Sequence, residues 1–259
     1  MDYFVAIIVT FFAGMGAGLG TGFAGMSAAA VISPMLITFL GVDPYMAVGI
    51  ALASDVLASA VSAYTYKRNN NLDIKNGILM MSMVLLFTVI GSYVSSVVPS
   101  SAMGGFSVFM TLMLGVKFIV KPVMTTKQDM AAVSKKKRIV GSLICGAFIG
   151  FICGFVGAGG GMMMLLIFTG VLGYELKTAV GTSVFIMTFT ALTGALSHFS
   201  FGKSPDVLIM VLCIVFTFLW ARVAAVLANK SSPQALNRAV GVVLVVLGIV
   251  ILGFEFLVK

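Results

Sequence analysis

The chain has 259 residues, 60% of them hydrophobic and 9% charged, with mean hydropathy +1.16 and net charge +8. That composition lies far outside soluble globular domains and marks an integral membrane protein. The positive charge clusters in loops beside apolar segments, where membrane topology accounts for it and nucleic acid does not.

In chain order the apolar blocks are 3–40, 44–66, 74–98, 101–120, 139–172, 175–200, 206–229 and 233–257. Their helical period argues for an all-α polytopic bundle and against a barrel. The breaks carry helix-boundary chemistry: Val42-Asp43-Pro44, Asn69-Asn70-Asn71, Pro99-Ser100, Ser204-Pro205-Asp206 and Ser232-Pro233. The first block lacks the basic start and short apolar core of a cleavable leader, so it reads as retained. Cys145, Cys153 and Cys213 lie in apolar segments without paired spacing, which indicates neither disulfides nor zinc.

Shifted by 132 residues, the chain matches its own glycine framework. Gly14, Gly18, Gly22, Phe23, Gly25, Gly41 and Gly49 fall on Gly146, Gly150, Gly154, Phe155, Gly157, Gly173 and Gly181. A duplicated membrane bundle follows, with repeats at 1–120 and 139–259 joined by a flexible basic linker, 121–138. The first block of each copy, about 34 to 38 residues or roughly 50 Å as one helix, is too long for a single straight span. Small residues divide it, Gly25-Met26-Ser27-Ala28 in one copy and Gly157-Ala158-Gly159-Gly160-Gly161 in the other. Lys67, Arg68 and Lys75, the linker, and Arg222, Lys230 and Arg238 place three loops inside if each first block doubles back, which makes the repeats inverted.

A short helix starting near Ser27 or Gly160 would aim free N–H groups and a positive dipole end at mid-membrane, a geometry that binds anions. Candidate substrate contacts are Gly25, Met26, Ser27, Ser54, Gly159, Gly160, Gly161, Thr182 and Ser183. The competing readings are close helix packing for the spaced glycines and back-bonding to the helix for the hydroxyls. Asp55 is the acidic residue deepest in a span and shares a face with Ala51, Ser59 and Ser62. It suits proton coupling or gating, or else a structural hydrogen bond; its counterpart across the repeat is Met187. His198 reads as interfacial and Arg222 as snorkelling. Met162-Met163-Met164 could in principle meet soft copper, but consecutive side chains diverge around a helix and read as packing. No enzyme motif, metal cluster or cofactor motif is present.

Two segments, Gly150-Phe151-Ile152-Cys153-Gly154-Phe155-Val156-Gly157-Ala158-Gly159-Gly160-Gly161 and Ala179-Val180-Gly181-Thr182-Ser183, resemble the motifs of the TauE/SafE family, the 4-toluenesulfonate uptake permeases. The first copy departs from them, with Ala47-Val48-Gly49-Ile50-Ala51 lacking the threonine–serine pair. The resemblance implies transport of sulfite or organosulfonate anions across a prokaryotic cytoplasmic membrane. The resulting expectation is a secondary transporter working by alternating access, with the lipid bilayer, a small anion and protons as partners. A passive anion channel and a methionine-rich copper transporter are the rival readings, and a homodimer is compatible with the sequence.

Overall fold

The computed structural model describes residues 3–96, 104–156, 160–201 and 205–258, and every regular element among them is helical. The helices are α1 (Tyr3–Ala24), α2 (Ala29–Leu40), α3 (Pro44–Arg68), α4 (Ile74–Ser96), α5 (Gly104–Val120) and α6 (Lys127–Ala132). They continue as α7 (Lys135–Val156), α8 (Gly160–Gly170), α9 (Leu176–Phe201), α10 (Val207–Lys230) and α11 (Pro233–Val258). Among the described residues, six stretches are long and apolar enough to cross a bilayer: Tyr3–Ala24, Pro44–Arg68, Ile74–Gly91, Leu176–Leu196, Val207–Lys230 and Pro233–Gly253. The chain is a multi-pass membrane protein.

Local chemistry sets the boundaries. Asp43 accepts from the N–H groups of Tyr45 and Met46 at 3.1 and 3.2 Å, and Pro44 supplies the first helical residue of α3. Asp206 caps α10 in the same way through Leu208 and Ile209. Gly41 and Gly173, 132 positions apart, take φ of 62° and 67°, a left-handed turn that glycine adopts without steric cost. The next residue then closes the same bond in both copies, Val42 N to Leu36 O and Tyr174 N to Phe168 O.

The basic linker contains a short helix. Thr126 and Asp129 form a reciprocal capping box that starts α6, and the basic run Lys135–Arg138 is the first turn of α7. The Thr126 N–H and hydroxyl bonds hold the Asp129 carboxyl below its ordinary range.

Packing relies on missing side chains. Gly14, Gly18 and Gly22 bring the α1 backbone against α10 at Thr217, Ala221 and Ala225; a Cβ on Gly18 would fall 2.7 Å from the Thr217 oxygen. Gly146 and Gly150 do the same for α7 against Met80 and Val84 of α4. In both of these pairs the two helices run parallel. Helices α3 and α9 run antiparallel, with Leu52 meeting Gly194 and Tyr66 meeting Gly181. Helices α5 and α11 are antiparallel too, with Leu112 at Gly248 and Ile119 at Gly241.

Candidate functional site

The interruption after α1 builds one wall. Gly25, at φ 63°, ends the helix with its N–H on Thr21 O at 2.9 Å; Met26 N reaches Gly20 O, and the Thr21 hydroxyl donates to Met26 O at 2.8 Å. These bonds satisfy the turn from its own residues, so irregular backbone is tolerated inside the bundle. Met26 is wholly buried, and Ser27 is half-buried just before α2.

The Ser27 hydroxyl donates to Asp55 Oδ2 at 2.8 Å, and Ser59, one turn along α3, donates to Oδ1 at 2.9 Å. The Ala28 N–H lies beside the same carboxylate, while Ala28 itself offers α2 no side-chain cap. Asp55 is 1% exposed, and the ion pair recorded among the described residues is remote from it, between Arg138 and Asp73. The chain's own carboxylate therefore stands where the positive end of α2 favours an anion.

The second copy meets this turn. Gly161, near the start of α8, lies against the Gly25 carbonyl and the Met187 sulfur, and Gly160 lies against Cys153 Sγ. Cys153, which touches Gly160, is the residue 132 positions after Thr21, whose hydroxyl donates to Met26 O. Ser183 faces Gly25 while its hydroxyl bonds Val180 O at 2.9 Å. The structure thus gathers Gly25, Met26, Ser27, Asp55, Gly160, Gly161 and Ser183; Gly159 lies outside the described residues.

Of the remaining expected contacts, one is back-bonded and one is tied to another loop. Ser54 is buried with its hydroxyl on Ile50 O at 2.9 Å, the back-bonded state. Thr182 bonds Thr178 O at 2.7 Å and accepts from Asp73 N at 3.1 Å, which ties it to the α3–α4 loop. Arg222 is exposed on α10, and Met162, Met163 and Met164 are buried in the apolar core. No cluster of three metal-ligating residues occurs among the described residues. Sequence reasoning missed Asp73, Tyr174 and Arg138, which converge from distant positions; no local pattern signals them.

A protein-family model described as Sulfite exporter TauE/SafE matches residues 10–251, nearly the whole chain. The probable membrane transporter protein YunE of Bacillus subtilis is 25% identical over 264 residues, covering 96% of each chain. YdhB of the same organism, also named a probable membrane transporter protein, is 20% identical and covers 91% of this chain and 96% of its own. A probable membrane transporter protein of Methanocaldococcus jannaschii is 23% identical across 95% of this chain and 94% of its own. No solved structure matches the chain.

Proposed function

The chain belongs to the sulfite exporter TauE/SafE family, and from that premise we propose that it is a secondary transporter for a small sulfur-containing anion. The anion is of the sulfite or organosulfonate type and crosses the cytoplasmic membrane by alternating access. The observation that carries this reading is the meeting of the starts of two short helices: α2 starts beside Asp55, and α8 starts against Gly25. Backbone N–H groups at such helix ends hold an oxyanion without a buried cation.

The repeats are inverted. Support comes from the antiparallel pairing of α3 with α9 and of α5 with α11, each pair being counterparts under the 132-residue shift. Further support comes from the Tyr66 hydroxyl bond to Gly22 O at 2.9 Å, which sets the end of α1 beside the basic end of α3. Since three residues join α2 to the opposite end of α3, α2 turns back along α1. The end bearing Lys67, Arg68, Lys75, the linker, Lys177 and Lys230 faces the cytoplasm.

Asp55 couples transport to protons. Its carboxylate occupies the positive end of α2 through Ser27, so protonation removes the resident charge and lets a substrate anion take its place. The reading is tested by thermal shift of the purified protein with sulfite, sulfate, thiosulfate, taurine and sulfoacetate. Stabilisation by sulfite or a sulfonate is expected. Stabilisation by Cu(I) with none by any anion would replace it with soft-metal transport.

A further inference from the structure

Resting on the alternating-access reading, we propose that Asp73, Tyr174 and Arg138 form the latch of the cytoplasmic gate, closed in this structure. Asp73 heads α4 in the first repeat, Arg138 lies in the first turn of α7, and Tyr174 precedes α9. The Tyr174 hydroxyl donates to Asp73 Oδ2 at 2.9 Å, and Arg138 Nη1 stands 3.9 Å from the same oxygen, its guanidinium 6.0 Å from the centre of the Tyr174 ring. The Asp73 N–H donates to Thr182, and its neighbour Asn71 donates to Asn229 Oδ1 at 2.7 Å. One five-residue loop, residues 69–73, is thus fastened to α7, to α9 and Tyr174 just before it, and to α10.

Its position is that of a gate. The loop closes the basic end of the α3–α9 seam, with Tyr66 and the Asn71 carbonyl against Gly181 directly beneath. Its bonding is that of a releasable contact. A permanent staple would use close, two-pronged arginine–carboxylate pairing; here the ion pair is long, Arg138 Nε is buried without a hydrogen-bond partner, and Nη2 bonds the Met130 carbonyl. Tyr174 is a neutral donor, and burial and then the Asp73 charge push its phenol further above the ordinary range. A state that splits Asp73 from Tyr174 opens the seam towards the cytoplasm without breaking a helix.

The test uses the full-length protein lacking Cys145, Cys153 and Cys213 and carrying Ser62→Cys as a reporter. Ser62 is wholly buried on α3 between Asp55 and the latch, and its hydroxyl has no hydrogen-bond partner. A membrane-impermeant maleimide is applied to right-side-out and inside-out vesicles. Tyr174→Phe and Asp73→Asn should each raise cytoplasmic-side labelling about tenfold, leave outer-side labelling unraised, and add little when combined. Unchanged cytoplasmic-side labelling in both variants, even with lowered thermal stability, overturns the latch and leaves a merely structural contact. If Asp73→Asn does not yield folded protein, Tyr174→Phe decides alone, since it removes one oxygen. Labelling of the parent from both sides at the rate of a fully exposed cysteine would instead show a continuous path and overturn alternating access itself.

Discussion

Asp55 is the residue on which sequence and structure agree in part. A lone carboxylate inside a span points to function by its cost, and Ser59 is legible as its partner because residues four apart share a helix face. Ser27, 28 residues away, is joined to it only by the fold. Ser27→Ala removes one donor from a buried carboxylate and should lower stability by about 1–2 kcal/mol in detergent-to-denaturant titration. No change would mean that water or another donor already serves Oδ2. Thr182 and Ser183 show the opposite limit. Sequence adjacency suggested a common task, but successive residues point about 100° apart around a helix, so Ser183 meets Gly25 and Thr182 meets the loop at Asp73. Gly25→Ala places a side chain at φ 63° against the Ser183 hydroxyl. It should cost about 1–2 kcal/mol or more and abolish anion-induced thermal shifts, whereas wild-type shifts would show that the turn is only structural.

At the scale of elements, helix positions follow from apolar length, and turn positions follow from Asp, Pro and Gly at fixed offsets. The interruption at 25–28 was legible because a helix of roughly 50 Å cannot be accommodated. Helix α6 was obscured by its charge, although Thr126-Lys127-Gln128-Asp129 holds a capping pair three residues apart. Asp129 has a depressed folded-state pKa, so its support for α6 is present above the ordinary carboxylate value of about 4 and is lost as pH falls through the folded value. Hydrogen exchange across 127–133, corrected for intrinsic rates, should therefore quicken at pH 3 and, at pH 7, in Asp129→Asn. Equal protection in the variant at pH 7 would show that α6 does not depend on its cap. Gly18 tests the α1–α10 contact: Gly18→Val pushes side-chain bulk into the Thr217–Ala221 backbone and should destabilise by about 1–3 kcal/mol or prevent folding. A fully stable variant would mean that these helices can separate at little cost.

For the whole molecule, the 132-residue self-match is carried by glycines because close helix contacts admit little else, and at Gly41 and Gly173 the matched turns make the same hydrogen bond. Loops that join distant segments were not readable: Asp73 and Tyr174 lie 101 positions apart and meet only once α3, α4, α7 and α9 have packed. Under the 132-residue shift Asp55, whose carboxylate accepts from Ser27 at the turn before α2, falls on Met187, whose sulfur lies against Gly161. Coupling through that carboxylate is the centre of the account. Flux of radiolabelled sulfite in proteoliposomes, with and without an imposed proton gradient between pH 5 and 8, measures it directly in wild type and Asp55→Asn. Saturable flux that responds to the gradient in wild type and ignores it in Asp55→Asn is the predicted result; the same gradient response in both proteins, or unsaturable flux indifferent to the gradient in both, would contradict it.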